Sequence, residues 1–182
     1  MATLVLTVIG DDRSGLVSAL SGVIAEHGGS WERSQMARLA GKFAGIVCVA
    51  VPDDRAEALT AALAPLGAQG LLDVTVERGG DTVGATDRSD GSDGGDGTVL
   101  SLELVGADRP GIVHDITRVL AAHHVSIEEL HTDTRPAPMS NDMLFEARAR
   151  LVAPPTVGTA ELREVLEELA NELMVDLSLS AD

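Results

Sequence analysis

Two short segments hold the residue types best able to do chemistry. Gly10-Asp11-Asp12-Arg13-Ser14-Gly15-Leu16-Val17 and Gly106-Ala107-Asp108-Arg109-Pro110-Gly111-Ile112-Val113 each follow an apolar, strand-like run and open a helix-like pattern. A helix N-terminus offers unpaired backbone N–H groups and the positive end of the helix dipole, so an anionic group can settle there. Gly15 and Gly111 lack the Cβ that would obstruct such an approach, and Pro110 suits a first helical turn. Asp12 and Asp108 have two readings. One is an N-cap accepting from the N–H of Gly15 or Gly111; the other is contact with a ligand's ammonium group, since a carboxylate repels a carboxylate. Arg13 and Arg109 are expected to be solvated or paired.

These turns must be positioned by strands and helices, and the chain repeats those too. The 96-residue spacing between the turns also relates Leu20 to Ile116, Val23 to Val119, Ile24 to Leu120 and His27 to His123. After an insertion the spacing becomes 102, relating Phe43 to Phe145 and Pro52 to Pro154. A repeat this long indicates two duplicated domains rather than an array. In each half, alternation (Leu4, Leu6, Val8; Leu100, Leu102, Leu104) predicts a strand and the stripe that follows predicts a helix. Gly28-Gly29 stops the first of these helices.

Residues 31–39 and 42–51 read as a hairpin around Ala40-Gly41, and residues 125–135 and 143–152 as its longer-looped counterpart. Second helices are expected at about 54–64 and 159–172, and final strands carry Leu72, Val74 and Val76 or Val175, Leu177 and Leu179. The fold class is therefore α+β: two ferredoxin-like βαββαβ domains, antiparallel sheets with helices on one face. They would occupy residues 1–78 and 98–182, joined by a flexible Gly- and Asp-rich linker at 79–97.

Composition narrows the function classes. The formal charge is −16, and Lys42 is the single lysine among 13 basic residues. Direct nucleic-acid binding and anionic membranes are disfavoured, because both need a basic surface. Aromatic residues make up only 2%, so the core must be aliphatic. Cys48 reads as a small core residue. The longest uncharged stretch, 58–72, is interrupted by Pro65 and Gly67 and too short to span a membrane. The N-terminal apolar run has no basic flank or cleavage pattern, and a cytoplasmic location is expected.

The order of elements together with Asp12-Arg13-Ser14-Gly15 and Asp108-Arg109-Pro110-Gly111-Ile112-Val113 resembles the ACT-domain family, small regulatory modules that commonly bind amino acids. Ala137-Pro138-Met139-Ser140 followed by Leu144-Phe145-Glu146 resembles the second domain of the glycine-cleavage repressor group, which consists of two ACT domains and little else. The resemblance implies a small amino-acid ligand held where the strand–helix turn of one domain faces a strand of its partner. Carried over, the ligand-binding residues are Asp12, Ser14, Gly15, Asp108, Pro110 and Gly111. Ser14 stands where proline is usual, and Asn141 where the repressor group often has glycine; asparagine tolerates positive φ.

Asp93-Gly94-Gly95-Asp96-Gly97-Thr98-Val99 superficially matches a phosphatase nucleophile motif, but its aspartates are three apart rather than two and no apolar strand precedes them. His123, His124 and His131 lack a partner at a recognisable ligand spacing, so no metal is expected. No nucleophile–base pair is apparent, so no enzyme and no cofactor are expected. The leading expectation is an amino-acid-sensing regulator acting through a protein partner such as a transcription factor. The alternative is a ligand-free assembly module or the regulatory subunit of a metabolic enzyme. A homodimer is left open.

Overall fold

The computed structural model describes residues 1–79, 97–138 and 142–181. Residues 80–96, most of the expected linker, and 139–141 lie outside them, so the expectations about linker flexibility and Asn141 concern residues not described. Contacts divide the chain into two compact units, Met1–Gly91 and Ser92–Asp182.

In the first unit, the alternating residues Leu4, Leu6 and Val8 are buried along strand β1 (Ala2–Asp11), and Leu16, Leu20 and Ile24 form the buried stripe of helix α1 (Leu16–Glu26). The helix ends at a left-handed glycine, Gly28 (φ +70°). There the N–H groups of Gly28 and Gly29 donate to the carbonyls of Ala25 and Ile24. Strands β2 (Ser30–Leu39) and β3 (Lys42–Val51) form the expected hairpin. Ala40 and Gly41, both at positive φ, make its turn.

The next helix departs from the sequence reading. After a 3₁₀ turn at Asp53–Arg55, helix α2 runs Ala56–Ala68 and passes through Pro65 instead of stopping before it. An interior proline costs about 3 kcal/mol. Burying Leu66 returns roughly 2 kcal/mol, and the N–H groups of Gln69 and Leu71 bond the carbonyls of Pro65 and Leu66 beyond the break. Strand β4 (Asp73–Arg78) completes a four-stranded antiparallel sheet in the order β2-β3-β1-β4.

The second unit repeats this plan with β5 (Thr98–Ala107), α3 (Ile112–Ala122), β6 (Ser126–Pro136), β7 (Met143–Ala153), α4 (Thr159–Leu173) and β8 (Val175–Ala181), in sheet order β6-β7-β5-β8. His124 (φ +55°) takes the left-handed position that Gly28 fills in the first unit, and Nδ1 of His123 lies 2.9 Å from the Val119 carbonyl. The pair thus serves the helix end.

Each sheet buries one face beneath its helices and leaves the other open. Leu4, Leu6, Val8, Val47, Val49 and Val51 face inward in the first unit, and Leu100, Leu102, Leu104, Phe145, Ala149 and Leu151 in the second. Among the described residues no polar or charged side chain is buried. Cys48, expected in the core, alternates with buried Val47 and Val49 and so faces the open side, half-buried. Both edge strands carry a bulge at the same place: the register slips between Trp31 and Arg33 and between Ile127 and Glu129, leaving Glu32 and Glu128 as the extra residues.

Candidate functional site

The two strand–helix turns adopt the same backbone. Gly15 (φ +92°) and Gly111 (φ +89°) are left-handed and immediately precede α1 and α3. That backbone conformation favours glycine, since a residue with a Cβ adopts it only at a cost; space is not the constraint, because a Cβ at either position would meet nothing within 4 Å. The missing Cβ opens space above the turn. No side chain caps either helix.

The capping expectation for Asp12 and Asp108 is therefore corrected. Left-handed glycine occupies the N-cap position, the helices begin four residues after these aspartates, and neither carboxylate makes a capping hydrogen bond. Their backbone does other work. The N–H of Asp12 donates to the Gly41 carbonyl at 2.9 Å, and that of Asp108 to the Met143 carbonyl at 2.8 Å, tying each turn to the hairpin beside it. The Asp12 carboxylate accepts from Arg38 of β2 at 3.2 Å.

In the first unit a shallow open depression of about 230 Å³ lies over the turn, lined by Asp12, Arg13, Gly15, Leu16, Val17, Ser18 and Phe43. Of the residues expected from the sequence, Asp12 and Gly15 line it, whereas Ser14 is exposed beside it. Val17, Ser18 and Phe43 escaped the sequence reading. Phe43 reaches the site because it pairs with Gly10 across the sheet, a register visible only in the fold. In the second unit Asp108, Pro110 and Gly111 are exposed. None of them lines the apolar crevice there, whose walls include Val113, Ile127, Leu130 and Phe145 and whose roughly 20 Å³ holds about one water.

Both arginines fold back on their own unit. Arg13 donates to the carbonyl of Gly70, just beyond α2, and Arg109 pairs with Asp115 of α3 at 2.9 Å. Beside the first turn, Lys42 donates to Asp11 and holds that carboxyl below its ordinary range, first through the hydrogen bond and then through its charge. The arrangement offers free helix N–H groups, a carboxylate and an aromatic wall. Those parts suit a small molecule that carries both signs of charge; they include no nucleophile–base pair. Among the described residues, no three His, Cys, Asp or Glu side chains are grouped to hold a metal ion. No described helix is long and apolar enough to cross a membrane.

Comparison with known proteins agrees with this architecture. Residues 2–77 match the ACT domain, and residues 100–173 match it again. The chain is a tandem ACT-domain protein. Its two ACT domains are 23% identical over 177 residues to the glycine cleavage system transcriptional repressor of Escherichia coli (strain K12), covering 97% of this chain and 88% of the repressor. A crystallised protein of unknown function from Galdieria sulphuraria superposes on the tandem ACT chain with a TM-score of 0.83 at 29% identity, covering 100% of this chain and 98% of that one. A crystal structure described as a putative glycine cleavage system transcriptional repressor shares the fold, with a TM-score of 0.67 at 18% identity and coverage of 100% and 97%.

Proposed function

We propose that this tandem ACT-domain protein senses a small amino acid and transmits the outcome through protein–protein contacts, acting on transcription of amino-acid metabolism, with glycine metabolism as the first candidate. The observation carrying this reading is the uncapped helix start at Gly15, which opens onto a depression that also contains the Asp12 carboxylate. A zwitterion fits that chemistry. Its carboxylate would take the N–H groups at the start of α1, and its ammonium group would join Arg38 on Asp12. Gly111, Pro110 and Asp108 supply the equivalent turn in the second unit, and Ser14 flanks the first. Full-length likeness to a transcriptional repressor supports the regulatory reading. A net charge of −16 supports a reading in which a basic partner in the cytoplasm, rather than this chain, contacts DNA.

The test is a thermal-shift panel of amino acids followed by calorimetry. A ligand present at 100 times its dissociation constant adds about 2.7 kcal/mol of stability. No response to any amino acid removes the sensor and favours the second reading, an assembly module. That alternative draws on a separate feature, the apolar open face of the first sheet, where Ile9 and Ile46 are exposed.

A further inference from the structure

At equivalent positions the open faces of the two sheets carry opposite chemistry. The centre of the second face is ionic: Arg148 lies 3.5 Å from Glu103, and Arg150 lies 3.3 Å from Glu128. In the first unit the places of Arg148, Glu103 and Arg150 are taken by Ile46, Thr7 and Cys48. With Val5, Ile9 and Ala44 they form an uncharged centre, apolar except for the Thr7 hydroxyl, in which Ile9 is 48% and Ile46 54% exposed.

Register places charges around that centre. Arg33, Cys48, Val5 and Glu77 stand side by side in one row running from β2 to β4, so a cation marks one edge and a carboxylate the other. Three rows further on, Lys42 and Asp11 stand side by side on the two central strands. Among the described residues, no ion pair within 4 Å engages Arg33 or Glu77.

We propose that this face is the contact between two copies of the chain, packed sheet to sheet about a two-fold axis parallel to the strands and centred between β3 and β1. A two-fold interface must be self-complementary, and this face meets that condition. The rotation lays β2 over β4 and β3 over β1 of the second copy. Arg33 then meets the second copy's Glu77, and Lys42 the second copy's Asp11, each contact occurring twice. Cys48 faces Val5 between them, and Ala44 faces Ile9. Sheets pack this way about 10 Å apart with strand directions within about 30°. A charge of −16 opposes self-association, so contact falls where negative charge is sparse. Here Arg33 and the single lysine offset half of the charge of Asp11, Glu32, Asp73 and Glu77.

Sedimentation equilibrium of the full chain over a range of concentrations tests the proposal, with circular dichroism confirming that each variant is folded. The wild type should show twice the chain mass, and Ile46→Glu the mass of one chain. Arg33→Glu or Glu77→Arg alone should weaken association by about tenfold or more through like-charge contact. The double variant should recover most of that loss, because every edge pair is reversed together. Three results would each overturn the proposal: a wild type that stays monomeric, as when the face is covered within one chain; a dimer indifferent to Ile46→Glu; or a double variant no better than the singles.

Discussion

The Sγ of Cys48 lies 3.7 Å from the carboxylate of Glu32, in the place where the second sheet sets Arg150 3.3 Å from Glu128. The two bulges are the same device, and the partner of the bulged glutamate has changed from a cation to a thiol. Burial, and after it the negative charge of Glu32 and its hydrogen bond, push the Cys48 thiol above its ordinary value. Because the folded value is raised, the neutral thiol is favoured in the fold, and its contribution to stability is lost only as pH rises through that value. Alkylation of this lone cysteine should be slow at neutral pH. Glu32→Gln should speed it at equal protein concentration without reaching the rate of a solvated thiol, since burial remains. An unchanged rate would remove Glu32 from the account.

Gly15→Ala and Gly111→Ala should each cost about 1–2 kcal/mol, the penalty of a left-handed residue with a Cβ. The cost should stop there, because the added methyl group meets nothing. Asparagine at either position should cost less. Gly45→Ala is the contrasting case: its Cβ would fall 2.7 Å from the Met36 Cα of the neighbouring strand, and its cost should exceed both turn variants. Urea unfolding midpoints rank these five substitutions.

Asp12→Asn should weaken amino-acid binding at the first turn by about tenfold or more, the size expected when a charge-assisted hydrogen bond is lost. Stability should change little, because the Arg38 pair it disrupts is exposed. Calorimetry on a variant whose second turn carries Gly111→Val isolates the first site. Equal affinity with and without Asp12→Asn would move the ligand elsewhere.

Lys42→Met should return the Asp11 carboxyl to its ordinary range, since the lysine is the main cause of its depression. A depressed carboxyl contributes stability that is present above the unfolded value and lost as pH falls through the folded one. Carboxyl-carbon NMR titration of parent and variant between neutral pH and strong acid should therefore separate only below about pH 5, where an ordinary aspartate begins to take up its proton. Identical curves for Asp11 would refute the pairing.

Much of this architecture was readable in the chain, for a physical reason. Period-two runs such as Leu4, Leu6 and Val8 and helical stripes such as Leu16, Leu20 and Ile24 report burial directly, and the duplicated turns gave the order of elements a second witness. What stayed hidden depended on tertiary contact. Pro65 signals a stop, yet α2 continues because Leu66 has a core to enter. Cys48 reads as apolar and small, but its side follows from the parity of its neighbours. Phe43 joins the candidate site only through its register with Gly10. Glu32 and Glu128 bulge at matching places that composition does not mark.

The ionic face of the second unit bears on how far self-association can propagate. A duplicated chain that kept two adhesive faces could be joined at both ends, and such units link into open filaments rather than closed particles. By placing Arg148 and Arg150 against Glu103 and Glu128, the second copy of the repeat presents an ionic surface on the same backbone plan. If the first face is the contact between copies, growth terminates at two, and the divergence of the repeats works as a chain stopper.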